Sequence, residues 1–191
     1  MNMTETNCLI AGVGGQGTVL AARILGTAAM AAGLDVRGSE TIGMAQRGGS
    51  VTSHVRMGKD IASPLIPSGR ADVILAFEPG EAARVHGYLK PGGVFVVCDR
   101  PIVPAVKGDY DGAATARWLA GQCAARIVSG EEIIKNCGAR SLNIALVGAA
   151  AALGAFPFGT DELLTALSER VNAKFLAMNI AALEYGMSLT R

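Results

Sequence analysis

Apolar and polar residues along this chain fall into short blocks of two kinds, and their succession predicts an α/β protein. Cys8–Ala11 is an apolar run of strand length that feeds Gly12-Val13-Gly14-Gly15-Gln16-Gly17. Beyond it, Val19, Leu20, Ile24 and Leu25 recur near helical period with alanines between them. They predict a helix from Gly17 to about Ala32, stopped by Gly33. Leu34–Gly38 begins a second strand, with Glu40 near its end, completing a β-α-β unit. Val51–Met57 alternates apolar with polar residues, as a half-buried strand does. Ala71–Phe77 is a continuous apolar run expected of a central strand, and it is expected to pair with Val51–Met57. The link from Gly58 to Arg70 carries Pro64 and Pro67 but no helical pattern. A parallel crossover needs a helix, so one of these two strands is expected to run antiparallel in a mixed sheet.

The second half continues in the same manner. A helix is predicted from Glu81 to Leu89, a turn at Lys90–Gly93, a strand at Val94–Cys98 and an irregular stretch at Asp99–Asp109. Ala113–Ala124 reads as a helix with Trp118 in the core. Ala125–Val128 reads as a short strand, and Glu131–Cys137 as a helix closed by Gly138. An alanine-rich helix follows from Ser141 to Leu153, with small residues on nearly every face, which suits close packing on the sheet or on another subunit. The next helix runs from Thr160, as N-cap, to about Val171. The last runs from Phe175 to Tyr185 and is expected to end at Gly186. The whole is expected to be one domain over residues 1–191. Its fold class is three-layer Rossmann-like α/β, with a mostly parallel, mixed sheet and a helical C-terminal part.

Gly12, Gly14 and Gly17 have the G-x-G-x-x-G spacing, and Gly15 adds a fourth glycine. In a strand-to-helix turn these glycines bend the backbone, admit a ligand closely and let helix and strand pack. Free N–H groups at the helix start favour an anion. Gln16 can hydrogen-bond a ligand or a partner chain. An acid about 20 positions on would serve a ribose, and Glu40 is the candidate, with a solvent-facing carboxylate as the alternative. A second glycine-rich loop holds Gly43, Met44, Gln46, Arg47, Gly48 and Gly49. Arg47 offers a planar fork for phosphate or carboxylate, and the alternative is a flexible connector with a solvated arginine. Both loops follow strands that are expected to end at one edge. Glu78 follows a strand end too, where it can line a crevice or simply cap the next helix. His54 and His86 lack partners at metal spacing and read as structural.

Charge and cysteines narrow the function. The formal net charge is +1, which gives no case for nucleic acid. The longest apolar stretch, Ile144–Phe156, is broken by Gly148 and Gly154, so no membrane span is expected. Met1–Asn7 is polar and carries Glu5, so a signal peptide is not expected and the location is expected to be cytoplasmic. Cys8, Cys98, Cys123 and Cys137 are widely spaced, without a C-x-x-C pair. No metal site or iron–sulfur cluster is expected here, and any redox cluster must come from a partner.

Gly12–Gly17, then Glu40 with Gly43-Met44-Ala45-Gln46-Arg47-Gly48-Gly49-Ser50-Val51 and Ser53–Arg56, resemble the gamma-type domain of 2-oxoacid:ferredoxin oxidoreductases. Within that family the chain is most similar to the beta-subunit type of indolepyruvate:ferredoxin oxidoreductases. Ala71-Asp72, Phe77-Glu78, Glu81–Arg84, Leu89–Gly93 and Asn143 extend the likeness, which covers roughly Cys8 to Gly186. The resemblance implies a subunit of a complex that turns a 2-oxoacid and coenzyme A into acyl-CoA and carbon dioxide, passing electrons to ferredoxin. It places thiamine diphosphate and the iron–sulfur clusters on a larger partner subunit. The gamma-type domain would then help shape the active-site and coenzyme A region without a cofactor of its own. The isolated chain is expected to be inactive and able to form a homodimer, and its catalytic residues are unassigned. Indolepyruvate-type members often carry a histidine just before the Gly-Met pair, where this chain has Ile42. A free-standing nicotinamide- or flavin-binding protein and a pure assembly module are the alternatives.

Overall fold

The computed structural model describes residues 5–43, 48–103 and 109–189. The strands are β1 (Thr6–Val13), β2 (Asp35–Ile42), β3 (Ser50–Gly58), β4 (Ala71–Ala76), β5 (Leu89–Cys98) and β6 (Ala125–Val128). The helices are α1 (Thr18–Ala31), α2 (Pro79–Val85), α3 (Gly112–Gln122), α4 (Gly130–Cys137), α5 (Leu142–Ala152), α6 (Thr160–Arg170) and α7 (Ala173–Ser188). One six-stranded sheet has the order β2-β3-β1-β4-β5-β6. β1, β4, β5 and β6 pair in parallel, and β3 runs antiparallel to both β1 and β2. The sheet is therefore mostly parallel and mixed, as expected.

Its order corrects one expectation. β3 does not pair with β4 but lies between β1 and β2, while β4 takes the other side of β1. The helix-free link does accompany an antiparallel strand. It needs no helical crossover because β3 ends at the edge of the sheet where β4 begins. Arg56 pins this link, donating from Nη1 to the carbonyls of Ser63 at 2.7 Å and Leu65 at 3.1 Å. Its Nε donates to Asn7 Oδ1 at 2.8 Å. Pairing with β3 carries β2 through Ile42, so Glu40 lies near its end, as expected. The β-α-β unit thus has a foreign strand between its two members.

Apolar clusters cover both faces, giving three layers. On one, Ile10, Val55 and Leu75 pack with residues of α1, α4, α5, α6 and α7. On the other, Leu9, Ile74 and Phe95 pack with Ala82 and Val85 of α2 and Leu119 of α3. Trp118, expected in the core, is instead 45% exposed. The buried face of α3 is Gly112, Ala116 and Leu119, which leaves position 118 off that face. Its ring meets His86 edge-on at 5.1 Å.

α5 is buried from Leu142 to Ala150 and packs against α7. Gly186 does not end the last helix, which continues to Ser188. A Cβ at Gly186 would overlap the Ala145 carbonyl, and one at Gly148 would overlap the Leu183 carbonyl. These glycines let the two helix backbones touch. Thr160 is likewise the first helical residue of α6 and not its cap. The cap position is Gly159, whose N–H donates to Glu162 Oε2 at 2.9 Å.

Two measurements test this packing. Gly186→Ala should lose about 1–3 kcal/mol in denaturant unfolding despite its better helix propensity. Gly121→Ala in α3, whose Cβ would meet nothing within 4 Å, should gain a few tenths to about 1 kcal/mol. His54 supplies the pH dependence. It is 8% exposed, and its Nδ1 accepts from the Ile66 N–H at 3.1 Å. Burial lowers its pKa from the ordinary 6.5. The unfolded chain therefore takes up a proton that the fold resists, and stability falls as pH drops through 6.5 until the folded form also protonates. His54→Asn should flatten this part of a Tm–pH profile.

Candidate functional site

β1, β2, β4, β5 and β6 share one direction, so their carboxyl ends open at one edge of the sheet, where β3 also begins. α1 leaves β1 toward one face while α2 leaves β4 toward the other. Open α/β sheets place ligand crevices where neighbouring connections diverge in this way. The glycine turn occupies that position.

The turn is built around its own side chains. Val13 N–H donates to Gln16 Oε1 at 2.7 Å, and Gln16 Nε2 donates to the Phe77 carbonyl at 2.8 Å. Gln16 thereby bridges the ends of β1 and β4. A Cβ on Gly12 would lie 2.9 Å from Gln16 Oε1 and from Thr18 Cγ2, so the missing side chain makes room for this bridge. Gly17 caps α1 at φ 81°, a left-handed conformation that suits glycine. Its missing Cβ admits Asn143 at the start of α5, whose Nδ2 donates to Gly17 O at 3.2 Å. Gly15 also has a positive φ, of 104°, and open space where a Cβ would stand.

The second loop joins the first directly. Gly14 N–H donates to the Gly49 carbonyl at 2.8 Å, and Gly43 N–H donates to Ser50 O at 2.9 Å. Gly49 thus sits beside the glycine turn, and Gly43 closes the loop on the far side of Ser50. Met44, Gln46 and Arg47 lie outside the described residues. Glu40 is not beside the turn. It stands opposite Ser53 on the exposed edge strand β2, and β3 separates it from β1. At a strand spacing of 4.7–4.9 Å, that puts its backbone about 10 Å from β1. It lines a cleft of about 500 Å³ with Arg23, Thr27 and Arg170. Arg170 is held there by its Nε donating to Thr27 Oγ1 at 2.8 Å.

Buried carboxylates anchor the rim from below. Ser50 Oγ donates to Glu81 Oε2 at 2.5 Å, and Glu81 Oε1 accepts from Arg84 Nε at 3.2 Å. Glu78, 3% exposed, accepts from Glu81 N–H at 2.9 Å and Ile102 N–H at 3.3 Å, and from the Tyr110 hydroxyl. Tyr110 Oη in turn accepts from Gly80 N–H at 2.9 Å. Burial, then the bond to Glu78, raises the Tyr110 pKa, so the phenol stays protonated and donating. Glu78 is therefore both the cap of α2 and the tie between that helix and the segment after β5. Sequence reasoning missed Tyr110, Ser50 and Glu81 as members of this network. Tyr110 lies in an irregular stretch without periodicity, and only Glu78 carried a positional signal.

The thiols do not form a ligand set. All four cysteines are free, Cys8 and Cys98 are buried, and burial raises every one of their pKa values, that of Cys98 to about 11. Among the described residues no three of His, Cys, Asp and Glu gather as metal ligands. No helix is long and apolar enough to cross a membrane, among the described residues.

The Gln16 bridge can be tested directly. Gln16→Ala leaves the Val13 N–H and the Phe77 carbonyl without partners, which should cost about 2–4 kcal/mol and expose the Val13 amide to hydrogen exchange. Gln16→Glu, which keeps an acceptor for Val13 but sets a carboxylate against the Phe77 carbonyl, should not restore the stability.

Comparison with known proteins agrees with this geometry. The family model for pyruvate ferredoxin/flavodoxin oxidoreductase matches residues 7–189. The chain is 34% identical to indolepyruvate oxidoreductase subunit IorB of Thermococcus kodakarensis, over 99% of this chain and 98% of that protein. It is 37% identical to the subunit of the same name from Archaeoglobus fulgidus, over 94% of this chain and 92% of the relative. Among solved structures, the keto/oxoacid ferredoxin oxidoreductase gamma subunit of Geobacter sulfurreducens has a TM-score of 0.71 at 23% identity, covering 97% of this chain and 98% of that one. Pyruvate oxidoreductase subunit PORC of Thermotoga maritima has a TM-score of 0.71 at 18% identity, covering 96% of each chain. These two structures share the fold. With the family match and the relatives above 30% identity, they lead to one conclusion: the chain belongs to the pyruvate ferredoxin/flavodoxin oxidoreductase family.

Proposed function

We infer that residues 1–191 act as one gamma-type domain, the small subunit of a 2-oxoacid:ferredoxin oxidoreductase. An aryl pyruvate such as indolepyruvate is the substrate that the named relatives suggest. In this reading the large partner subunit holds thiamine diphosphate and the iron–sulfur clusters. This chain completes the site by presenting its glycine rim to the partner and to coenzyme A. The observation that carries the reading is the Gly14–Gly49 hydrogen bond, which fuses both glycine loops into one surface. Main-chain groups at Gly15 and Gly48 can approach a partner closely because, among the described residues, no atom lies within 4 Å of where their Cβ would stand. Glu81 and Glu78 hold that surface in shape from below. Arg47 supplies the positive charge that a phosphate or carboxylate at the rim requires.

Two arms test the proposal. The chain alone should not oxidise a 2-oxoacid with thiamine diphosphate and an electron acceptor present, whereas the chain co-expressed with its large subunit should. Turnover by the isolated chain overturns the subunit reading. In the complex, Arg47→Ala should raise the Michaelis constant for coenzyme A roughly tenfold, as expected for loss of a charged hydrogen bond. An unchanged Michaelis constant with weaker subunit association would make the rim an assembly surface only.

A further inference from the structure

β2 closes one side of the sheet, and among the described residues nothing pairs with its outer edge. Its register against β3 runs unbroken from Asp35 opposite Gly58 to Ile42 opposite Val51, and it holds no proline or lysine to discourage further pairing. Gly43 N–H donates to Ser50 O at 2.9 Å, which sets the phase of this antiparallel ladder. Arg37, Ser39 and Thr41 therefore turn their main-chain groups to β3, while Val36, Gly38, Glu40 and Ile42 turn theirs outward. We propose that this edge joins β2 of a second copy of the chain, antiparallel and centred on Ser39, so that the two sheets become one. The joint does not depend on the subunit reading, since it uses this chain alone.

The edge is complementary to itself. A two-fold axis normal to the sheet keeps each face in place, so residues opposite each other across the joint must share a face. Centring on Ser39 sets Val36 against Ile42 of the other copy and Gly38 against its Glu40, so every outward N–H and C=O from Val36 to Ile42 gains a partner. In the same register Ser39 meets Ser39 and Arg37 meets Thr41, and no like charges stand directly opposite. A Cβ on Gly26 would meet Val36 Cγ1 at 3.5 Å, so Val36, Gly38 and Glu40 share the face that carries α1. There α1 and β2 flank the cleft of about 500 Å³ that holds Arg23 and Arg170. Among the described residues neither arginine forms an ion pair, and nor does Glu40. Across the joint Glu40 of each copy comes opposite Gly38, at the mouth of the other copy's cleft and its two guanidiniums. Gly38 leaves it room. A Cβ there would stand 3.5 Å from His54 O, an ordinary contact, so the folded chain itself does not require glycine at this position. A neighbour held close across the edge does.

Sedimentation equilibrium of the full-length chain should show a dimer at about 100 µM, and amide hydrogen exchange should show where it forms. The amides of Val36, Gly38, Glu40 and Ile42 should gain protection as protein concentration rises, while those of Arg37, Ser39 and Thr41 should be protected throughout. Gly38→Pro removes an outward N–H and no bond to β3, and it should weaken the dimer at least about tenfold. Glu40→Lys should weaken it about tenfold, more at low salt than at high, and gives the same readout should the proline variant not fold. A chain that stays monomeric at that concentration overturns the proposal, even if the edge then accepts a strand of another protein. So does a dimer in which the outward amides of β2 exchange as in the monomer, or one that folded variants at Gly38 and Glu40 leave unchanged.

Discussion

β1 is hydrogen-bonded along its whole length to an antiparallel neighbour, residue for residue from Thr6 against Met57 to Val13 against Ser50. The rest of the candidate site depends on that pairing. Because β3 starts beside the end of β1, the loop that precedes it must return to the same edge as the glycine turn. The two loops then meet through Gly14 and Gly49. The same insertion pushes β2 one strand outward and takes Glu40 with it. One ladder thus makes the two-loop rim and unmakes the ribose site that the glycine spacing suggests.

Glycine spacing is a statement about backbone room, and the structure shows what fills it. At Gly12 the space is taken by Gln16, and at Gly17 by Asn143. Both are polar side chains of this chain: Gln16 satisfies main-chain groups at the ends of buried strands, and Asn143 adds a second donor to the Gly17 carbonyl, which also accepts from the Ala21 N–H. A pyrophosphate would have to displace the Gln16 bridge from two backbone partners. The turn is better suited to presenting a rigid outer surface, with Gly15 open, than to receiving a ligand within it. This fits a family whose named relatives are oxidoreductase subunits.

Glycines also govern the helical layer. α5 and α7 approach until their backbones touch at Gly148 and Gly186, and small residues on α5 allow burial against the sheet on its other side. A glycine near the end of an apolar helix reads equally as a stop signal or as a contact. Gly186 is the second, because α7 needs that surface free along its full length. The rim rests on the same logic of mutual support. Glu78 and Glu81 are buried, and each satisfies donors from separate elements, so moving one loop disturbs all of them.

Much of the fold was legible in the sequence. The strand runs, the helix periods, the mixed sheet and both glycine loops follow from local patterns, since apolar period and turn chemistry are properties of neighbouring residues. The helix-free link between β3 and β4 even betrayed an antiparallel strand. What the sequence could not supply was partner choice. Pairing β3 with β1, placing Trp118 off the buried face of α3, and bringing Tyr110 to Glu78 all join residues far apart in the chain. Their energies depend on which surfaces are already covered, and no local pattern records that. The glycine turn itself was determined by sequence. Whether its room would hold a ligand or Gln16 was decided only when β4 came to lie beside β1 and offered the Phe77 carbonyl as a partner.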